Sequence, residues 1–111
     1  MSTERKRLSG MQKGYILEKV VCETEVEIKN AQGLHMRPAM QFVDISNRFD
    51  SKITVTNGKT SVDGKSIMQM SMLAATCGTK LKIRAEGADA ENAAAALQEL
   101  VENRHFDEPL P

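Results

Sequence analysis

Cys22-Glu23-Thr24-Glu25-Val26-Glu27-Ile28-Lys29 places small or apolar residues at every second position and charge between them. Side chains on a strand alternate between faces, so this period of two describes a strand with one face on a core and the other in water. Lys80-Leu81-Lys82-Ile83-Arg84-Ala85 has the same period and is closed by Glu86-Gly87, but its wet face is basic where the first is acidic. Side by side, the two would pair opposite charges across the ladder, so the first and last strands are predicted to be neighbours. Between them, Lys52 to Thr56 turns Ile53 and Val55 inward and meets Asn57-Gly58. That dipeptide is a preferred two-residue hairpin turn, and the return strand runs through Val62.

Three stretches have helical spacing instead. Met36 to Arg48 sets Ala39, Phe42, Val43 and Ser46 on one face, with Pro38 in the first turn, where its missing N–H costs nothing. A second helix is predicted from Ser66, as N-cap, to just before Gly78. A third opens at Asp89 as N-cap and carries Ala93, Ala96, Leu97, Leu100 and Val101 as one stripe to about Asn103. The order βαββαβα, with a sheet wet on one face, packs most simply as an α+β two-layer open-faced β-sandwich. Four antiparallel strands would carry three helices on one face.

Composition bounds the rest. A chain of 111 residues, 41% apolar, supports one small domain with a single core. Fifteen Lys plus Arg against fifteen Asp plus Glu give a net charge of zero, which disfavours nucleic acid as a partner. The acidic face of the first strand and an aromatic content of 4% also argue against an RNA-stacking sheet. No apolar run suits a spanning helix or a secretory leader, so the expectation is a cytoplasmic protein with no membrane partner. Seven Met and few aromatics predict a core of Ile, Leu, Val, Met and Ala. Cys22 and Cys77 lie far apart with only two His in the chain, so no metal site is expected. They read as two small buried or half-buried thiols, with a disulfide left open. Residues 1–19, with Arg5, Lys6, Arg7, Lys13 and Lys19, read as a poorly ordered, mildly basic extension or a docking tail for an acidic partner. The domain is expected over 20–104 and a C-terminal tail, with His105 in it, over 105–111.

The chemically distinctive segment joins the first strand to the first helix: Asn30-Ala31-Gln32-Gly33-Leu34-His35-Met36-Arg37-Pro38-Ala39. A helix start offers free N–H donors and a positive dipole end, so a phosphoryl group on His35 would be stabilised there without a metal. Arg37 adds a guanidinium suited to phosphate oxygens. Gly33 is expected to let the backbone approach the imidazole closely, and Pro38 to fix the first turn. The dipole and Arg37 both favour the neutral ring, the form that attacks phosphorus. Spacing alone leaves a capping or surface His35 equally open.

Gly33-Leu34-His35-Met36-Arg37-Pro38-Ala39 resembles the active-site signature of the HPr family, the histidine-containing phosphocarriers of the phosphoenolpyruvate-dependent sugar phosphotransferase system. Gly64-Lys65-Ser66-Ile67-Met68 resembles that family's regulatory serine segment, and the similarity extends from about Glu23 to Val101. The resemblance implies a stoichiometric phosphoryl carrier rather than an enzyme, a monomer with no cofactor. His35 would take a phosphoryl group on its δ nitrogen from enzyme I and pass it to an enzyme IIA component, with Arg37 stabilising the group in transit. Gly33, Met36 and Pro38 would form the supporting loop. Ser66 would be the target of an ATP-dependent HPr kinase/phosphorylase, or else a plain N-cap. Ile67 and Met68 would dock partners, while Met70, Leu73 and Met72 read as core.

Ser71, where the family commonly has an apolar residue, and Met36, where it usually has a small one, depart from the pattern. Met36 could crowd access to His35. Arg48, Lys52 and Lys59 read as a solvated charged face or as aids to docking acidic partners. An alternative reading is an HPr-like regulatory module that acts through phosphorylation-dependent protein contacts rather than sugar transport.

Overall fold

The computed structural model describes residues 20–111, so the expected extension over 1–19 lies outside the described residues. The acidic alternating run forms β1 (Val21–Glu27) and the basic one β4 (Lys80–Glu86). The two pair antiparallel with Glu23 opposite Arg84, Glu25 opposite Lys82 and Glu27 opposite Lys80, the charge matching expected. Arg84 Nη1 lies 3.0 Å from Glu23 Oε2. Exposed pairs of this kind add at most about 1 kcal/mol each. Their greater effect is on register, since a slip by one residue would turn the apolar face outward.

The helix α1 (Met36–Ser46), the hairpin β2 (Lys52–Asn57) and β3 (Thr60–Asp63), and the helices α2 (Ile67–Ser71) and α3 (Ala90–Gln98) complete the expected order. The antiparallel sheet runs β1-β4-β2-β3. Its inner face, Cys22, Val26, Ile53, Val55, Leu81, Ile83 and Ala85, packs on Ala39 and Phe42 of α1, Met70 of α2, and Ala93 and Leu97 of α3. Cys22 is buried and Cys77 exposed, both as free thiols, so the disulfide left open in the sequence does not form and Cys77 is not half-buried.

Four details differ from the sequence expectations. Asn57 pairs with Thr60, so the hairpin loop is Gly58-Lys59, one residue later than Asn57-Gly58. Gly58 has φ +65° and Lys59 does not share that sign, the pattern of a turn that needs glycine only at its first central position.

Second, α2 stops at Ser71 instead of running toward Gly78. Its last bonds tighten to three-residue spacing, Met72 N to Gln69 O and Leu73 N to Met70 O, and Ala74 then takes a φ of +49°. Helical spacing therefore no longer applies after Ser71, and Met72, expected in the core, is 73% exposed.

Third, α3 continues into a wider turn over Glu99–Asn103, closed by Arg104 N donating to Glu99 O at 2.9 Å. The wide turn brings both Leu100 and Val101 into the core.

Fourth, Asp89 does not cap its own helix. Its carboxylate instead accepts from the amides of Asp50 (2.9 Å) and Ser51 (3.0 Å) and from the Ser51 hydroxyl, tying the start of α3 to the loop before β2. The Ser51 hydroxyl, with those amides, holds the Asp89 carboxyl below the usual carboxylate range against the opposing effect of burial.

Residues 105–111 fold back on the domain. His105, Phe106 and Asp107 have φ of +51°, +54° and +56°, three left-handed residues in succession with no glycine among them. Left-handed backbone costs an ordinary residue roughly 1–2 kcal/mol. The reversal is offset by complete burial of Phe106, by the Arg104–Asp107 ion pair at 2.7 Å and by Ala31 N donating to Pro109 O at 2.9 Å. It lays residue 108 against the start of α1.

Candidate functional site

The loop from β1 to α1 is built around a tight turn at Gly33. Gly33 has φ +72°, and a Cβ there would fall 2.6 Å from Ala75 O and 2.9 Å from Thr76 Cα. The close approach is thus to the 75–77 backbone, not to the imidazole as expected. Leu34 N donates to Ala75 O at 2.8 Å, which pins the loop to the chain leaving α2. The fully buried Asn30 donates from Nδ2 to Gly33 O at 2.7 Å.

His35 follows as the extended N-cap residue of α1, and its side chain caps nothing. The capping alternative is thereby excluded. The ring is about one-third exposed and its Nε2 lies 2.8 Å from Glu108 Oε1. In the neutral ring beside an ionised carboxylate, Nε2 is the nitrogen that carries the proton and donates, which leaves the lone pair on Nδ1. Glu108 Oε2 accepts from Arg37 Nη1 at 2.9 Å, and Glu108 Oε1 also accepts from Asn30 Nδ2 at 2.8 Å. Burial alone would raise the Glu108 carboxyl, but the bonds from His35, Asn30 and Arg37 outweigh it and hold the group below its ordinary value.

The amides of Met36 and Arg37, in the turn where a helix offers its own N–H groups no acceptor, have no acceptor among the described residues. Pro38 is buried and occupies the same turn. Met36 is 55% exposed and does not cover the ring. It lines an open groove with His35, Arg37, Met40, Gln41 and Asp44. An imidazole with a free nitrogen, two unspent amides and a guanidinium at one helix start can accept an electrophilic oxyanion such as a phosphoryl group.

Met68 is exposed on the first turn of α2, while Ile67 is half-buried against the core. Met36 and Met40 on α1, Met68 on α2 and Met72 just past its end are all exposed. Ser66 does cap α2, its Oγ accepting from Gln69 N at 3.2 Å. Ser71 turns its hydroxyl back onto Met68 O at 2.9 Å. Arg48 pairs with Asp44 at 2.9 Å, and Lys52 and Lys59 are exposed. No group of residues suited to a metal ion occurs among the described residues, and no helix there is long and apolar enough to cross a membrane.

The family model for the phosphorylation site of the HPr component of the phosphotransferase system matches residues 22–103. The chain belongs to the HPr family. It is 46% identical over 85 residues to the phosphocarrier protein HPr of Pseudomonas aeruginosa, an alignment covering 76% of this chain and 93% of that one. The crystal structure of HPr from Thermoanaerobacter tengcongensis superposes with a TM-score of 0.75 at 42% identity, covering 79% of this chain and 98% of that one. The solution structure of Crh, the catabolite repression HPr of Bacillus subtilis, has a TM-score of 0.56 at 35% identity, covering 72% and 95%. As an HPr, the chain is a phosphocarrier of the phosphotransferase system and not a catalytic enzyme.

The sequence missed Glu108 and gave Asn30 no role. The available signal was Phe106, one of only three Phe in the chain, standing in a polar segment where an anchor has no other use.

Proposed function

We propose that His35 accepts the phosphoryl group on Nδ1 from phosphorylated enzyme I and passes it to an enzyme IIA component. The Nδ1 lone pair forms the new bond to phosphorus as the bond to the donor's imidazole nitrogen breaks and its electron pair stays on the donor. The observation that carries this reading is the ring itself: partly exposed at a helix start, uncommitted to capping, and held through Nε2 so that Nδ1 is free. Arg37 and the amides of Met36 and Arg37 receive the charge spread over the phosphoryl oxygens. Gly33 supports the loop by packing its turn on the 75–77 backbone, and Pro38 by filling a buried place in the first turn of α1. Incubation with phosphoenolpyruvate and enzyme I should give an acid-labile, base-stable phosphate that disappears in His35→Ala. Label that survives this substitution would falsify the assignment.

The exposed methionines Met36, Met40, Met68 and Met72, beside the half-buried Ile67, supply the docking surface for both partners. Unbranched thioether side chains repack against different surfaces more readily than branched ones. Ser66 is the site of regulation by an ATP-dependent kinase/phosphorylase. Helix α2 has only five residues, so its dipole does little for a phosphate there. The effect is instead a new charge of about −1.5 to −2 at the edge of the methionine patch, which repels acidic partners. Kinase-dependent labelling that is absent in Ser66→Ala tests this, and slower transfer from enzyme I to the labelled protein is the expected consequence.

A further inference from the structure

The carboxylate hydrogen-bonded to the ring comes from a segment the family match does not reach: the match ends at residue 103, and Glu108 lies beyond it. Its side chain is only 9% exposed, and all three of its recorded donors belong to the site: Asn30, His35 and Arg37. The chain adopts three consecutive left-handed residues to deliver it there. Backbone strain of that kind persists only where the surroundings impose it, and at functional sites it is part of the arrangement.

We infer that Glu108 is a positioning residue for phosphoryl transfer, holding the His35 ring by its Nε2 proton so that Nδ1 faces the incoming phosphorus. The inference rests on His35 being the acceptor. Two effects follow from the geometry. Glu108 Oε1 fixes both the tautomer and the rotation of the ring, so the nucleophile does not have to be oriented at each encounter. As the N–P bond forms, Nδ1 gives up its lone pair and the ring, which keeps its Nε2 proton, gains positive charge. The carboxylate 2.8 Å away balances that charge without taking the proton. Glu108 Oε2 meanwhile holds Arg37 by one N–H, which leaves the remaining guanidinium donors for the phosphoryl oxygens.

The test uses the full chain as wild type, Glu108→Ala and Glu108→Gln. Glutamine retains an oxygen that accepts from Nε2–H and lacks only the charge. In ¹H–¹⁵N spectra of the unphosphorylated protein, the Nε2–H proton of His35 should be protected from solvent exchange and visible in wild type and Glu108→Gln, and lost in Glu108→Ala.

In transfer from enzyme I with phosphoenolpyruvate, Glu108→Ala should lower kcat about tenfold with KM for the carrier unchanged, the lower end of what the hydrogen-bonded partners of metal-ligating histidines contribute by the same fixing of tautomer and ring orientation. Glu108→Gln should recover part of the loss. Equal rates for wild type and Glu108→Ala, or a loss that appears wholly in KM, overturn the inference while leaving His35 as acceptor. A wild-type chain that takes no phosphate at all overturns the carrier reading instead, and this inference with it.

Discussion

Helix α1 begins at His35 and helix α2 at Ser66, and the two starts use their first side chains in opposite ways. Ser66 turns inward and accepts from the Gln69 amide, as an N-cap does. His35 turns outward to Glu108 and leaves the first amides of α1 open. The difference separates a start that stabilises its own helix from one that keeps its donors for something else.

The largest effect expected from breaking this contrast is at His35. His35→Ala should reduce phosphate acceptance by at least a factor of about 1,000, while stability to urea changes by no more than about 1 kcal/mol, because a partly exposed ring that caps nothing contributes little to the fold. A large drop in stability would show that the ring is structural.

Gly33→Ala attacks the α1 start from the backbone side. The added Cβ meets Ala75 O at 2.6 Å at a φ of +72°. The variant should lose at least about 2 kcal/mol of stability in urea titrations.

Ser66→Ala removes the α2 cap and should cost about 1 kcal/mol, with acceptance at His35 within about twofold of wild type. A much larger effect on acceptance would mean that the two helix starts act as one unit.

The smallest effect concerns pH. The folded-state carboxyl of Glu108 is held below its ordinary value of 4.5, so its contribution to stability is present above that value and is lost as pH falls through the lower folded one. Glu108→Gln should therefore weaken the acid dependence of urea stability in that window. An unchanged dependence would place the acid sensitivity elsewhere, for example at Asp89, which is displaced in the same direction.

Much of the fold was legible because it depends on alternation. The charges of Glu23, Glu25 and Glu27 against Lys80, Lys82 and Arg84 specify both the neighbour and the register of β1. Helix ends were less legible, since local residue type competes with tertiary contacts. Asp89 has the chemistry of a cap but is drawn to the amides of Asp50 and Ser51. Met70 and Leu73 are three apart, as on one helix face, and Met72 was expected in the core with them, but the helix has already ended. At the site, His35 and Arg37 were readable from a short local motif. Glu108 was not, because its closeness to His35 comes from a reversal through His105, Phe106 and Asp107 that contains none of the residues which normally announce a left-handed turn.

That reversal also ties the ring to the core. Glu108 reaches His35 only because Phe106, fully buried two residues earlier, anchors the turned-back segment. Whatever withdraws Phe106 from its place therefore also releases the imidazole from its partner, although no bond between the two side chains exists.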